Sequence, residues 1–314
     1  MWITLNIILF TVSQKKQSAM PGSKPMKIAF IGLGIMGKAM ARNLLKHDNA
    51  MLTVFNRSPK PAQELEKAGA GRAGSPAEAV GKADVVFTML SSPEVVESLA
   101  FGDSGFVDAM DQEAVWVNCS TVNPSFARSC AEQAEQRGFK FIDAPVAGTK
   151  KPAQDGELTF LLGGEKDDIE NLRDLFELMG KTILHVGPAG QGSAFKMLVN
   201  ALLAQSMLAY AETALLGEKL GFSRQFLMET LPGLPVSAPF LKGKAALIQN
   251  GDFEASFPLE LMHKDLHLVD ITAYEENQPL FLAGLAKQIY GRAKAAGHGR
   301  KDFAAVHEFL DKGE

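Results

Sequence analysis

The sequence predicts an α/β chain: a doubly wound parallel sheet in its first part, followed by an all-α domain. Three observations carry this. An apolar strand runs into three spaced glycines and then a helix; short apolar runs alternate with amphipathic stretches as far as about Thr149; beyond Gly187 helical periodicity is almost unbroken. At 314 residues the chain exceeds the usual reach of one hydrophobic core, which fits two domains. The expected division is an extension over 1–25, a sheet domain over 26–190 and a helical domain over 191–314.

The extension reads unlike the rest. Residues 3–12 are apolar but too few to span a bilayer, and no Lys or Arg precedes them as a secretory leader requires. Residues 13–25 are polar and linker-like, and Met20 and Met26 each offer another start. This segment is therefore expected to be disordered or not native to the fold.

The first strand, 28–31, breaks into Gly32-Leu33-Gly34-Ile35-Met36-Gly37 and resumes as a helix over 36–46. Gly32 can take a tight turn, Gly34 lets backbone approach phosphate oxygens, and Gly37 lets the helix lie close on the sheet. The helix N–H groups then face an anion, so these six residues read as a cradle for a dinucleotide pyrophosphate. Glycine-rich turns also follow strands for purely structural reasons; the strand before and the long helix after supply the context that favours binding. In this Rossmann-type arrangement the next strand, 52–55, ends where an NAD enzyme usually places Asp or Glu on the ribose. Here stand Asn56, Arg57 and Ser58. Arg57 offers a fork of donors to a 2′-phosphate and no carboxylate repels it, so NADP(H) is the expected cofactor; the alternative is that Arg57 is a solvated loop charge.

Further strands are expected over 85–89, 115–118 and 139–142, with helices over 61–67, 76–79, 94–99 and 124–137. The loops after these strands, Met89-Leu90-Ser91 and the run 119–123 that includes Thr121, are placed to wall the nicotinamide half. Strands over 158–162 and 183–186 around a helix over 168–179 complete the first domain. The stretch 193–221 then carries apolar residues on more than one face, interrupted by Lys196, Asn200, Gln205, Glu212 and Glu218 too often for a membrane span. It is expected to form a spine between domains, buried on most sides, and to pack against a second subunit. Helices over 224–230, 240–248, 263–275, 281–295 and 303–310 follow.

The formal net charge of −4 and the lack of a polybasic run argue against nucleic-acid binding. Two cysteines, Cys119 and Cys130, have no spacing suited to a disulfide framework or zinc site, which fits a reducing cytoplasmic setting. His263 and His267 lie four apart, a spacing that can bind metal, but no third ligand accompanies them and an ordinary helix surface is the simpler reading; no metal is expected. Glu212 and Glu218 read as solvated or interface residues. Asp143 ends a strand and is expected to bond local backbone rather than act as a base.

Lys196 and Asn200 also lie four apart, hence on one helix face. An amine and a carboxamide in an apolar helix cost desolvation unless they find partners. A lysine held beside a substrate oxygen can donate a proton or stabilise alkoxide charge; the alternative is a snorkelling Lys196 and an Asn200 bonded to a neighbouring helix.

Four ordered segments carry a resemblance: Phe30 to Gly37, Asp143 to Gly156, Gly190 to Asn200, and Lys264-Asp265-Leu266. From Met26 onward the chain resembles the β-hydroxyacid dehydrogenase family. Lys150-Lys151-Pro152-Ala153, Phe240-Leu241-Lys242-Gly243-Lys244 and Phe257-Pro258-Leu259 look most like its glyoxylate and succinic semialdehyde reductases. The resemblance implies that Lys196 is the proton donor, that Asn200 orients it or the substrate, and that Thr121 lies between nicotinamide and substrate. It further implies that Phe257 and Asp265 line the substrate pocket, with Lys264 reaching the cofactor. The substrate loop reads Ala147-Gly148-Thr149 where the family usually has Ser-Gly. A hydroxyl for the substrate carboxylate is thus missing, unless Thr149 or backbone N–H groups compensate. The expected activity is NADPH-dependent reduction of a small aldehyde acid in a homodimer or homotetramer. Alternatives are NAD-dependent oxidation of 3-hydroxyisobutyrate or a related acid, imine reduction, and nucleotide binding without turnover.

Overall fold

A computed structural model of the chain describes residues 8–11 and 24–313. It divides into two compact units, Met1–Lys196 and Met197–Glu314.

The first unit is built on ten strands: β1 (Ile8–Thr11), β2 (Met26–Ile31), β3 (Ala50–Phe55), β4 (Gly71–Arg72), β5 (Val85–Thr88), β6 (Val115–Asn118), β7 (Lys140–Asp143), β8 (Val146–Ala147), β9 (Leu158–Gly163) and β10 (Gly180–Gly187). Their order is β1-β10-β9-β7-β6-β5-β2-β3-β4, with β8 on β9. From β4 to β7 every pairing is parallel, as the alternation of apolar runs and helices predicts. Strand β9 reverses and pairs antiparallel with β7 and β8. The connection folds back on itself, since β8 at its start lies antiparallel to β9. The extension set aside in the sequence enters the fold, since Ile8–Thr11 pairs antiparallel with β10 and covers a sheet edge. Residues 1–7 and 12–23 of that extension lie outside the described residues.

Both faces of the sheet are buried. Along β2, Ile28 and Phe30 enter one core cluster, with Phe87, Val54 and Phe176, while Ala29 and Ile31 enter another with Val86 and Trp116. This period-two division explains why the strands read as continuous apolar runs. Phe30 stacks on Phe87 at 5.9 Å between ring centres. The helix Pro124–Arg137 has its expected bounds and ends at Gly138 in the left-handed region. The helix expected over 168–179 is two pieces, Lys166–Asn171 and Arg173–Met179, which meet at Leu172 with φ −108.

The second unit is helical. The long helix Gln191–Lys219 continues into it and buries Met207, Tyr210, Ala211 and Ala214 against Met262, Leu266, Tyr290 and Phe303. Burial on most sides is not what one chain provides: Leu198, Leu202, Leu216 and Leu220 are each 60–69 % exposed along one face. The core of the unit covers the other face only. Helix Phe281–Ala293 passes into a π turn, Lys294–His298, and Asp302 starts a 3-10 turn, Phe303–Ala305, by accepting the Ala304 N–H.

Candidate active site

Strand order turns at β2, with β3 on one side and β5 on the other, so a crevice opens beyond the carboxyl ends of β2 and β5. The three glycines that follow β2 divide the work. Gly32 has φ +97, and a Cβ there would lie 2.4 Å from the Met89 carbonyl oxygen. A Cβ on Gly37 would sit 2.0 Å from the Gly32 oxygen. A Cβ on Gly34 would meet nothing within 4 Å. Protein therefore closes on two of them and leaves open space in front of the third. Gly34 is the N-cap of helix Ile35–Leu44, which has neither a side-chain cap nor an acidic residue in its first turn. Main-chain donors aimed at open space are what a pyrophosphate needs, so Gly32 to Gly37 fit the dinucleotide.

Asn56 braces this loop: its Oδ1 accepts the Leu33 N–H at 2.8 Å and its Nδ2 donates to the Ser58 carbonyl at 2.9 Å. Arg57 and Ser58 are exposed beside it, and Arg57 ion-pairs with no described residue. Met89 and Leu90 abut Gly32. The Leu90 N–H donates to Ser120 Oγ at 2.9 Å, which ties this loop to the Thr121 segment. Below it, Trp116 Nε1 donates to Thr88 Oγ1 and Thr88 donates to Asn118, both at 2.9 Å. The glycine loop, Asn56, Met89, Leu90 and Thr121 are thus brought together. Ser120, the fully buried link, was not singled out in the sequence, although it directly precedes Thr121. Ser91 is exposed, and Ala147, Gly148 and Thr149 lie around the β8 turn, where Ala147 pairs with Thr159.

Asp143 corrects a sequence expectation. It does bond backbone, but not locally: its Oδ2 accepts N–H groups from Gly190 at 3.1 Å and Ser193 at 2.7 Å, 47 and 50 residues onward. Ser193 Oγ donates to its Oδ1 at 2.7 Å. Lys196, one turn further along the long helix, is 7 % exposed.

In the second unit Asn200 Nδ2 donates to Asp265 Oδ2 at 2.6 Å, and Lys264 Nζ lies 2.7 Å from the other Asp265 oxygen. Asn200 Oδ1 is buried and accepts no hydrogen bond from the described residues. Phe257 packs on the core of this unit. Its ring packs edge-on against Phe303 at 5.5 Å and its N–H donates to Asp302. Asp302, fully buried, pairs with Lys244 at 2.7 Å, a clamp the sequence did not reveal because its partners are 58 residues apart. His263 and His267 belong to no metal-binding group of three or more His, Cys, Asp or Glu among the described residues. Burial, aided by Lys294 and Lys287, pulls the His263 imidazole below its ordinary value.

Comparison with known proteins agrees over nearly the whole chain. Residues 27–187 match the family described as the NAD binding domain of 6-phosphogluconate dehydrogenase. Residues 190–310 match the NAD-binding family of NADP-dependent 3-hydroxyisobutyrate dehydrogenase. The chain is 33 % identical to the chloroplastic glyoxylate/succinic semialdehyde reductase 2 of Arabidopsis thaliana, over 96 % of this chain and 86 % of that one. It is 32 % identical to the mitochondrial 3-hydroxyisobutyrate dehydrogenase of Mus musculus, over 91 % of this chain and 88 % of that one. The solved 3-hydroxyisobutyrate dehydrogenase of Mycobacterium tuberculosis with L-serine superposes with a TM-score of 0.81 at 33 % identity, covering 91 % and 99 % of the two chains.

Proposed function

This chain belongs to the β-hydroxyacid dehydrogenase family, and we propose that it reduces a small aldehyde acid, succinic semialdehyde or glyoxylate, with NADPH. It is an NAD(P)-dependent oxidoreductase acting on CH–OH groups; the direction, substrate and cofactor preference are the proposal. The burial of Lys196 and Asn200 on successive turns of one helix carries it. A buried amine needs polar partners, and the substrate oxygen is proposed as one of them. The nicotinamide, when bound, supplies the hydride. Lys196 Nζ gives a proton to the oxygen that develops alkoxide charge, and Asn200, held by Asp265, orients the amine or the substrate. Thr121 lies between nicotinamide and substrate. Phe257 and Asp265 line the substrate pocket, with Ala147, Gly148 and Thr149 at the carboxylate end and Lys264 reaching the cofactor. Met89, Leu90 and Ser91 wall the nicotinamide. Arg57, exposed with no carboxylate at the end of β3, takes the 2′-phosphate, beside Asn56 and Ser58. Relatives named as glyoxylate/succinic semialdehyde reductases support the substrate class.

The same reading makes the enzyme a cytoplasmic homodimer or homotetramer, with the exposed leucines of the long helix as contact face. A panel of aldehyde acids and hydroxy acids, run with both cofactors and followed by nicotinamide absorbance, tests the activity. Consumption of NADPH with succinic semialdehyde or glyoxylate is expected. Turnover confined to NAD and 3-hydroxyisobutyrate would overturn it.

A further inference from the structure

The start of the long helix is held from below by one buried carboxylate. Asp143 ends β7, a central strand between β6 and β9, and is 0 % exposed. Its two oxygens take three donors, all from the first turn of the helix or the residue that caps it: the Gly190 N–H, the Ser193 N–H and the Ser193 hydroxyl. The packing admits no slack. A Cβ on Gly192 would lie 2.4 Å from the Leu161 main-chain oxygen, 2.7 Å from the Asp143 main-chain oxygen and 3.1 Å from Asp143 Oδ2. The titratable groups facing Asp143 are the thiols of Cys119, after β6, and Cys130, on helix Pro124–Arg137, and its charge helps to push both above their ordinary value. Arg128 of the same helix lies against Gly190, with its side-chain stem near that residue. Asp143 makes no ion pair with any described residue. Its charge is met by hydrogen bonds and by the positive end of the helix dipole.

Ser193 precedes Lys196 by three residues, so the turn that Asp143 grips is the turn that aims the lysine. We propose that Asp143 is a positioning residue for Lys196: ionised, it fixes the first turn of the long helix and so the direction in which the amine is presented, and on taking up a proton it releases that turn. The proposal rests on Lys196 as proton donor. A proton on Oδ1 forces the Ser193 hydroxyl to turn from donor to acceptor, and Oδ2, no longer part of a charged group, holds the Gly190 and Ser193 N–H groups more weakly than a carboxylate does. Burial has already brought Asp143 up to about 6, against the pull of the Ser193 and Gly190 bonds. A donor lysine must be protonated and so limits the reaction on the alkaline side; an acid limb has to come from another group.

The experiment records kcat against pH with NADPH and the aldehyde acid for the wild type, Ser193→Ala and Asp143→Asn. It adds hydrogen–deuterium exchange of the peptide over 187–196 in the absence of substrate. The wild type should lose activity below about pH 6, and the same peptide should lose protection there, after correction for intrinsic exchange. Ser193→Ala removes a bond that favours the charged form, so its acid limb should move upward by roughly half a pH unit. In Asp143→Asn the limb should vanish, leaving kcat level with pH at roughly a tenth of the wild-type plateau, a shift near 1.4 kcal/mol. A merely structural aspartate would lower activity without moving the limb. An unmoved limb in Ser193→Ala, together with protection that does not change across pH 6, overturns the proposal; should Asp143→Asn fail to fold, that variant decides alone. Near-normal turnover of Lys196→Ala would instead reject the lysine's role, and exchange, which needs no turnover, tells the two failures apart.

Discussion

Two glycine-rich loops in this chain each lead from a strand into a helix, and they are used in opposite ways. After β2, the helix Ile35–Leu44 begins with no side-chain cap and open space before Gly34. After β10, the helix Gln191–Lys219 begins on a carboxylate that the protein supplies from β7. Both helix starts carry partial positive charge and orphan N–H groups. The first leaves them beside open space, where a ligand's anion is proposed to sit; the second spends them on Asp143, one turn before Lys196. A glycine-rich loop before a helix is therefore not enough to place a phosphate, because an internal anion can take the same donors.

The largest expected effect separates the two helices by chemistry. Lys196→Ala should lower kcat by about 10²- to 10⁴-fold while NADPH titration stays close to wild type, since the proposed proton donor sits on the second helix and the proposed phosphate cradle on the first. If both quantities fell together, the division of labour would be wrong.

The second expectation concerns stability and has its own sign. Asp143 binds its proton at about 6 in the folded chain against an ordinary 3.8. Its protonation therefore contributes stability that is fully present below about pH 4 and lost as pH rises through 6, up to about 3 kcal/mol in all. Denaturant midpoints between pH 4 and 7 should show this slope in the wild type and not in Asp143→Asn. Activity moves the other way over the same range. A wild-type midpoint that rises with pH here would mean that Asp143 is not held as described.

Next come paired glycine substitutions. Gly192→Ala drives a Cβ into two carbonyl oxygens and should cost about 1–3 kcal/mol of stability. Gly34→Ala meets no protein atom within 4 Å, so its melting point should hold while NADP(H) binding weakens roughly 10- to 100-fold. Equal behaviour of the two variants would remove the contrast between the loops. The smallest effect belongs to Arg57→Ala, which should weaken NADPH roughly tenfold and leave NADH nearly unchanged in a fluorescence titration.

Much of the frame was legible because it is periodic or punctuated. The helix Pro124–Arg137 opens on a proline and closes on Gly138, and its expected bounds coincide with those observed. Strand β6 and helix Arg224–Thr230 agree equally well. Strands β4 and β8, two residues each, and the six-residue helix Lys150–Asp155 escaped the reading because segments so short carry no period. Which face of the long helix one chain leaves bare was not legible for another reason: apolar residues on several faces look alike in sequence, whether a chain covers them itself or not.

The sequence by itself determined the alternation of strands and helices, the spacing of Gly32, Gly34 and Gly37, the absence of an acid at the end of β3 and the placing of Lys196 and Asn200 on one helix face. All of these are local, set by backbone sterics and by repeats within a few residues. Tertiary structure alone decided that Ser120 joins Leu90 to the Thr121 segment, that Lys244 neutralises Asp302, and that Asp143 reaches across 47 and 50 residues to grip the start of the long helix. Buried polar groups must find partners wherever the fold brings donors and acceptors together, and distance along the chain does not limit that choice.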